Sequence, residues 1–180
     1  MTTKGLIQVF SGDGRGKTSA AFGLAMRAAG HGLKVAVVQF MKPTDFFTGE
    51  NNSIKNLSNI DIYNYGNSDI WGRDGWPQKN YPKEAKTVSL EALNKAKDLS
   101  STKGLDLLVL DEAGEAAKLE LLTVNQLKDL LNNKENELEI IITGYHMPQE
   151  IIDMADLVTE LKAIKHPYEK GITARRGFDY

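Results

Sequence analysis

The segment Ser11-Gly-Asp-Gly-Arg-Gly-Lys-Thr18 decides the fold of this 180-residue chain. It lies between an apolar run at residues 5–10 and a segment rich in Ala, Leu and Met at residues 17–29. A glycine-rich loop between a strand and a helix directs backbone N–H groups and a helix N-terminus at one point, which suits a polyphosphate. In such a loop Lys17 reaches phosphate oxygens, and the Thr18 hydroxyl joins a Mg²⁺ shell.

This loop departs at one position from the strict phosphate-loop pattern, which has glycine where the chain has Ser11. A plain glycine-rich turn before a helix is the competing interpretation. The strand–loop–helix context is, however, the condition that the phosphate-loop motif requires. We therefore predict nucleotide binding by the loop and the start of the helix, at Gly12, Asp13, Gly14, Arg15, Gly16, Lys17, Thr18 and Ser19.

Three more short apolar runs, rich in Val, Ile and Leu, follow the loop along the chain, at residues 33–40, 105–110 and 138–143. Near-continuous apolar runs are typical of parallel strands buried on both faces. Helical patterns alternate with them, at residues 17–29, 83–100, 123–132 (with Thr123 as the N-cap) and 148–154. The alternation predicts an α/β fold with a mostly parallel central sheet flanked by helices. Functional groups are expected just beyond the carboxyl ends of the strands.

The apolar run at residues 105–110 ends in two acids, Asp111 and Glu112. In a parallel sheet these carboxylates would face the phosphate loop, where a metal ion bound to a nucleotide lies. A pair of solvated acids at a strand end is the competing interpretation. Together with the phosphate loop, the pair predicts a nucleoside triphosphate site with Mg²⁺ or Mn²⁺ held by Thr18, Asp111 and Glu112. These motifs do not define the reaction.

Composition excludes several other classes of protein. The formal net charge is −2, which gives no basis for nucleic acid binding through bulk charge. The chain has no cysteine, so disulfides, thiolate metal sites, iron–sulfur clusters and a cysteine nucleophile are excluded. The start shows no signal-peptide pattern, and no apolar run approaches the ~20 residues of a membrane span. We therefore expect one cytoplasmic domain over residues 1–180, without a membrane or nucleic acid partner.

Two segments, residues 43–82 and 162–180, depart from the strand–helix pattern. The first is rich in Asn, Gly, Asp and aromatic residues and contains at most one weak strand, Ile60 to Tyr65. Loops of this length in a compact domain are more often functional than idle, and disorder is the competing interpretation. The aromatic residues indicate either a large flat apolar ligand or a satellite of the core under a long loop. They are Tyr63, Tyr65, Trp71, Trp76 and Tyr81.

The nucleotide site alone leaves the reaction open. Hydrolysis would need a residue that positions water and an additional positive charge. A small-molecule kinase would need an acid near its acceptor hydroxyl. The candidates for these roles are Glu112 for water, Arg15, Arg175 or Arg176 for charge, and Asp45, Asp69 or Asp74 for the kinase acid. Neither reaction explains the aromatic residues of the long loop.

The sequence resembles the ATP:corrinoid adenosyltransferases of the phosphate-loop, cob(I)alamin-modifying type. The resemblance runs nearly end to end and in order. It rests on Gly12-Asp-Gly-Arg-Gly-Lys-Thr-Ser-Ala-Ala-Phe-Gly23, Arg27-Ala-Ala-Gly-His-Gly32, Val35-Ala-Val-Val-Gln-Phe-Met-Lys42, Leu110-Asp-Glu112, Ile141-Ile-Thr-Gly144, Ala155-Asp-Leu-Val-Thr-Glu-Leu161, Lys165-His166 and Gly171-Ile-Thr-Ala-Arg-Arg-Gly-Phe-Asp-Tyr180. This combination is far more specific than a phosphate loop alone, and the hydroxyl residue Ser11 also fits the family.

The resemblance implies a RecA-like phosphate-loop NTPase fold and one reaction. A Co(I) corrinoid attacks the 5′ carbon of ATP, a Co–C bond forms and triphosphate leaves. Because Co(I) is a strong nucleophile with no proton to lose, no general base is needed. The protein must hold the triphosphate, neutralise its growing charge and present C5′ in line. Lys17 and Glu112 are the catalytic residues that this resemblance implies.

The resemblance also implies how the corrinoid is bound. The family places a Phe and a Trp against the lower face of the corrin, which excludes the axial ligand and makes Co(II) easier to reduce. Trp71 matches the Trp, whereas Asp69 stands at the Phe position, with Ile70 beside it. This departure suggests that Ile70 or Trp76 substitutes for that Phe beside Trp71. Further candidates for contact with substrate are Gln39, at the carboxyl end of a strand, His146, beyond another strand end, and Arg175 and Arg176. Capping or packing is the alternative for Gln39, and a charged tail is the alternative for the two arginines.

The expected partners are ATP, cobalamin or cobinamide, a flavin-type reductase that supplies electrons, and a second copy of the chain. The homodimer rests on the resemblance only. Longer members of the family carry an N-terminal helix over the active site, and we expect this chain to lack that helix. The residues leave open two other functions: a phosphate-loop kinase or NTPase that yields ADP, and a non-catalytic corrinoid or nucleotide binder.

Overall fold

A computed structural model describes residues 4–43, 48–54, 56–66 and 83–178 of the chain. Its centre is a six-stranded sheet, made of β1 (Ile7–Ser11), β2 (Val35–Phe40), β3 (Ile60–Tyr65), β4 (Leu107–Asp111), β5 (Glu139–Gly144) and β6 (Leu157–Glu160). The spatial order is β3-β2-β4-β5-β1-β6, and every pairing between these strands is parallel. The predicted α/β class is confirmed, and the described sheet is wholly rather than mostly parallel.

Helices cover both faces of the sheet. They are α1 (Lys17–Gly30), α2 (Gly49–Ile54), α3 (Lys83–Ser100), α4 (Ala113–Lys118), α5 (Val124–Asn132) and α6 (Gln149–Ile152), with a 3₁₀ turn at Pro167–Lys170. Neighbouring residues of β2 show why that strand is apolar throughout: Val37 packs in a core with α1, and Val38 packs in a core with α3 and α5. None of the helices in the described ranges has the length and apolar character that crossing a membrane requires.

The four apolar runs predicted to be strands are β1, β2, β4 and β5, and the weak strand Ile60 to Tyr65 is β3. The predicted helices are α1, α3, α5 and α6, with ends that differ by at most two residues. Thr123 caps α5 as predicted, since its hydroxyl accepts a hydrogen bond from the Gln126 amide at 3.2 Å.

Three short elements were not predicted. They are α2, which lies inside the long segment expected to be irregular, α4 and β6. The two helices have six residues each and the strand has four, so none is long enough to show a clear periodicity. All residues of β6 are exposed, and its sequence therefore lacks the apolar run that marks the buried strands.

The order of the strands sets the geometry of the site. Because β5 lies between β1 and β4, Thr143 near the end of β5 stands between the phosphate loop and the acids that follow β4. On the other side of β4, Gln39 of β2 lies opposite Asp111. The carboxyl edge of the sheet thus brings together polar groups from four chain segments, as expected for a parallel α/β sheet.

Candidate active site

The phosphate loop joins β1 to α1 and is held in place by neighbouring segments. Gly12 and Gly16 have φ angles of 112° and 109°, in the left-handed region that favours glycine. The Gly12 amide donates to the Tyr145 carbonyl at 3.3 Å, and the Gly14 amide donates to the Leu161 carbonyl at 2.7 Å. A Cβ atom at Gly14 would lie 2.6 Å from the Leu161 carbonyl carbon, so this contact requires glycine. The loop is therefore shaped before any ligand arrives.

These contacts narrow the predicted set of phosphate-binding groups. The amides of Gly12 and Gly14 are used within the protein, whereas the amides in the first turn of α1 have no partner inside the helix and can receive an anion. The Asp13 carboxylate accepts a hydrogen bond from the Ala163 amide at 3.0 Å. This bond holds the acid against the segment after β6. The contact of Asp13 with a nucleotide stays a prediction.

Lys17 lies across the phosphate loop. Its ammonium donates to the carbonyls of Gly12, at 2.7 Å, and Gly14, at 2.9 Å, and lies 5.4 Å from the centre of the Tyr145 ring. Burial lowers the pKa of Lys17, and nearby acids, with Glu112 the strongest, oppose that shift. The carbonyls keep the cation over the loop that the sequence predicts to bind a triphosphate. A bound anion therefore needs only a side-chain rotation to gain this charge.

Asp111 is the centre of the buried polar groups and has no exposed surface. Its Oδ1 accepts from the hydroxyls of Thr18 at 3.0 Å and Thr143 at 2.8 Å. Its Oδ2 accepts from the Gln39 amide at 2.9 Å and the Lys42 ammonium at 2.5 Å. Burial alone would raise the pKa of Asp111, but Lys42 and the hydrogen bonds outweigh it and hold the pKa below its usual value. The carboxylate is therefore ionised and fixed in direction.

Glu112 follows directly and stands in a strained backbone conformation. Its φ of 63° lies in the left-handed region, and its amide donates to the Thr143 hydroxyl at 2.9 Å. Burial and the charge of Asp111 raise the pKa of Glu112 to about 7, against the opposing effect of Lys42 and Lys17. Of the two side chains of the pair, only that of Asp111 is fully buried.

The structure brings the three predicted metal-binding residues together in part. Thr18 and Asp111 are in direct contact, and Glu112 is the next residue after Asp111. A hydroxyl and two carboxylates are hard oxygen ligands, and Mg²⁺ characteristically takes one or two carboxylates together with substrate phosphates and water. The donor set therefore fits the divalent ion that a triphosphate carries.

Gln39 is buried among polar side chains at the end of β2. Its side chain is only 1% exposed, and its carbonyl oxygen accepts from the amides of Asn51 and Asn64, both at 3.0 Å. Its amide nitrogen donates to Asp111. These contacts agree with the packing role that was the alternative for Gln39, which orients Asp111 and connects it to α2 and β3.

Of the other residues predicted to bind the corrinoid, the structure describes Arg175 and Arg176. Asp69, Ile70, Trp71 and Trp76 lie outside the described residues. Arg175 and Arg176 are exposed, and the Arg175 guanidinium lies over the Phe178 ring at 5.3 Å. Tyr63 and Tyr65 pack against the core with α3, which agrees with a satellite of the core for these two aromatic residues.

A cleft of about 1030 Å³ opens beside the start of the phosphate loop. Its walls include Ser11, Val158 of β6, Val124 of α5 and the half-exposed His146. The buried Glu115 of α4 accepts from both the amide of His146, at 2.9 Å, and its ring Nδ1, at 3.0 Å. The cleft therefore offers an apolar surface with one oriented imidazole next to the predicted triphosphate position.

Sequence reasoning missed Thr143, Glu115, Asn51 and Asn64 as parts of this site. Thr143 does end an apolar run next to a glycine, and that position at the carboxyl end of a strand was the available signal. Glu115 stands alone among small apolar residues in Ala113-Gly-Glu-Ala-Ala117. An acid in such an apolar run indicates a buried carboxylate that is paired with another group.

Comparison with known proteins gives a consistent result over the whole chain. A model of the family described as ATP:corrinoid adenosyltransferase BtuR/CobO/CobP matches residues 3–180. The corrinoid adenosyltransferase of Escherichia coli (strain K12) is 34% identical over 178 residues, which are 98% of this chain and 86% of that protein. Corrinoid adenosyltransferase CobA of Salmonella typhimurium is 35% identical over the same shares, 98% and 86%. The corrinoid adenosyltransferase of Pseudomonas aeruginosa is 32% identical, over 98% and 84%.

Proposed function

This chain belongs to the family of ATP:corrinoid adenosyltransferases, and on that premise we propose that it transfers the 5′-deoxyadenosyl group of ATP to the Co(I) of a corrinoid and releases triphosphate. The match over residues 3–180 carries this proposal. The phosphate loop and the contact between Thr18 and Asp111 at the same edge of the sheet support ATP as the donor of the adenosyl group.

The reaction requires little acid–base chemistry from the protein. The electron pair of Co(I) forms a bond to C5′ of ATP, the bond between C5′ and the α-phosphate oxygen breaks, and its electron pair leaves with the triphosphate. No proton moves, and the leaving group gains one negative charge. The work of the protein is to align cobalt, C5′ and the leaving oxygen and to stabilise that charge.

Lys17 and the first turn of α1 are the groups that we assign to the triphosphate. The ammonium already lies over the loop, held by two carbonyl oxygens, and the first-turn amides carry the positive end of the helix dipole. Both act on charge that grows as the C–O bond breaks. Such interactions are stronger in the transition state than in the bound substrate and therefore raise the rate.

Thr18, Asp111 and Glu112 are the residues that we assign to a divalent metal ion, Mg²⁺ or Mn²⁺. A bound ion would supply further positive charge to the triphosphate. The residues of this chain prepare the position: Thr143 and Gln39 hold the Asp111 carboxylate, and the Thr18 hydroxyl points at it. The raised pKa of Glu112, about 7, indicates a carboxyl that gains from a nearby cation.

The corrinoid, either cobalamin or cobinamide, is assigned to the carboxyl edge of the sheet, close to the nucleotide. The family resemblance gives Trp71 the role of covering the lower face of the corrin, with Ile70 and Asp69 beside it. The cleft next to Ser11 supports the presence of room for a large substrate at this edge. Arg175 and Arg176 stay proposed contacts of the corrinoid side chains or phosphate.

Three further features belong to the same proposal. Co(I) must be made from Co(II) by a one-electron donor, and we assign this step to a flavin-type reductase. A second copy of the chain completes a homodimer. The exposed apolar side chains of β6 and the segment after it support an interface there: Leu157, Val158, Ile164, Tyr168, Ile172 and Phe178. We place the reaction in the cytoplasm.

The decisive experiment identifies both products. The protein is mixed with MgATP and chemically reduced cob(I)alamin, the corrinoid spectrum is followed, and the phosphate product is identified by ³¹P NMR. We expect adenosylcobalamin and triphosphate in equal amounts. A parallel reaction without corrinoid is the control. Formation of ADP in that control at a comparable rate would show a kinase or NTPase and would overturn the proposal.

A further inference from the structure

Lys42 is brought to Asp111 by two unusual features of the backbone. Met41, the residue before it, is fully buried and has a φ of 59°, in the left-handed region. Position 66, just after β3, has no room for a side chain. A Cβ on Gly66 would lie 2.4 Å from the backbone N and carbonyl C of Lys42. The chain after β2 therefore folds back over the sheet edge, and the Lys42 side chain is only 12% exposed.

The ammonium of Lys42 completes the set of donors around Asp111. A carboxylate offers about four lone-pair positions. Asp111 has four donors in contact, two on each oxygen, from Thr18, Thr143, Gln39 and Lys42. Of these four, Lys42 alone carries a positive charge. A divalent ion that binds Asp111 must displace one of them, and the cation is the group that it would repel.

We propose that Lys42 occupies the place of the divalent ion on Asp111 in the empty site and gives it up only to a metal ion that arrives with a triphosphate. This inference rests on the proposed function, since it takes Asp111 as a metal ligand. Lys42 is then a positioning residue. It keeps the buried carboxylate ionised and aimed, together with Thr18, before substrate binds.

Charge balance explains why the metal and the nucleotide must arrive together. A free divalent ion that displaced Lys42 would leave an ammonium in a partly buried position without its counter-charge, which is unfavourable. A metal–triphosphate complex brings negative oxygens that can receive the released ammonium. Lys42 therefore favours the metal–nucleotide complex over the free ion, and this selectivity is measurable without any corrinoid.

The test compares Lys42→Met, Lys42→Arg and, as a matched control, Lys34→Met. Lys34 is an exposed lysine that directly precedes the same strand at its opposite end. Binding of Mn²⁺ is measured from the EPR signal of the free ion, with and without the imido analogue of ATP. We expect Lys42→Met to bind free Mn²⁺ at least five times more tightly than the wild type. The factor by which the nucleotide analogue tightens Mn²⁺ binding should be smaller in Lys42→Met than in the wild type.

Lys42→Arg keeps the charge and should stay close to the wild type in both measurements, as should Lys34→Met. A free Mn²⁺ affinity of Lys42→Met that equals or falls below that of the wild type overturns the inference. If Lys42→Met does not fold, the ¹⁵N resonance of the Lys42 ammonium is followed in the wild-type protein. It should shift when Mg²⁺ and the nucleotide analogue are added together, and an unchanged resonance overturns the inference equally.

Neither measurement involves the corrinoid or the transfer step. A protein that shows the metal selectivity but forms no adenosylcobalamin would refute the proposed function and leave the role of Lys42 standing. A protein that forms adenosylcobalamin but whose metal affinity is unchanged in Lys42→Met would support the proposed function and refute the role of Lys42. The two failures are thus distinguishable.

Discussion

Two regions of the molecule differ in burial and in hydrogen bonding. They are the carboxyl edge of the sheet around Asp111 and the segment that begins at β6. Asp111 is fully buried with four donors in contact, whereas all residues of β6 are exposed and Ile164 and Phe178 are 86% and 71% exposed. The four donors to Asp111 all come from one chain and are in place without ligands. The second region leaves apolar side chains in solvent, which favours a partner surface there. Nucleotide chemistry and stability should therefore depend on the first region, and association on the second.

The largest effect should come from removing the charge of Asp111. Asp111→Asn leaves the ammonium of Lys42 without its counter-charge in a nearly buried position. We expect the free energy of unfolding of the metal-free protein to fall by about 3–5 kcal/mol, measured by urea denaturation. Asp129→Asn, which changes an exposed acid of α5, should stay within about 0.5 kcal/mol of the wild type.

A double variant sharpens this result. Asp111→Asn combined with Lys42→Met removes both charges, so its loss of stability should be smaller than the sum of the two single losses. Strictly additive losses would show that the two side chains do not interact. The claim that the buried charge pair stabilises the edge of the sheet would then be wrong.

Lys17→Ala should have the next largest effect, on rate rather than on stability. Loss of a charge-assisted contact to the leaving triphosphate should cost about 3 kcal/mol or more, which is over 100-fold in kcat/KM for adenosylation. The circular dichroism spectrum and the melting temperature should stay close to those of the wild type. Lys34→Ala serves as the control with an exposed lysine, and a near wild-type rate for Lys17→Ala would remove Lys17 from the site.

Glu112 should make the stability of the metal-free protein depend on pH. Its pKa is raised from 4.5 to about 7 in the folded state, so the folded protein holds a proton that the unfolded chain has lost. The stabilising contribution of this proton is present below pH 4.5 and disappears as the pH rises through about 7. Glu112→Gln, which stays neutral, should therefore be about 2 kcal/mol more stable than the wild type at pH 8.

The measurement is urea denaturation at several pH values between 5 and 8 in the presence of a chelator. Glu160→Gln is the control, because Glu160 is an exposed acid that pairs with the exposed Lys162. If Glu112→Gln shows the same pH dependence as the wild type, the carboxyl of Glu112 titrates normally.

Trp71 should affect one step of the reaction and not the other. If its indole covers the lower face of the corrin, Trp71→Ala should slow adenosylation that starts from Co(II) with a mild reductant at least 10-fold, about 1.4 kcal/mol. The reaction should slow much less when Co(I) is supplied ready-made, since attack on C5′ needs only the phosphate site. Equal impairment of both routes would indicate a packing residue, and Asp69→Phe should preserve or improve the Co(II) route.

The smallest effect on stability should come from the exposed segment. Ile164→Ser changes a side chain that is 86% exposed, so the free energy of unfolding should stay within about 0.5 kcal/mol of the wild type. Sedimentation should nevertheless show a dimer dissociation constant raised at least 10-fold. A dimer of unchanged affinity would place the interface elsewhere on the molecule.

The sequence allowed the nucleotide half of the site to be predicted because its signals are local. The phosphate loop is one continuous motif, and Asp111 ends an apolar strand, so adjacent residues define both. The contacts of Gln39 and Lys42 with Asp111 join residues 72 and 69 positions apart, and no pattern along the chain encodes them. Local periodicity likewise could not show β6, because its pairing with β1, and not an apolar run, makes it a strand.

The glycines of the phosphate loop also bear on how such a motif is recognised in other chains. Gly12 and Gly14 face the backbone of Leu161, where a Cβ would meet backbone atoms at 2.3 Å and 2.6 Å, while a Cβ at Gly16 would meet only the Leu161 side chain, at 3.5 Å. At Gly14 the neighbouring strand end alone requires glycine, whereas Gly12 also has a φ of 112° that favours glycine. A search template for this loop should let position 14 vary together with the length and path of the segment after β6. A chain that lacks that segment could carry alanine at position 14 and keep its affinity for nucleotide.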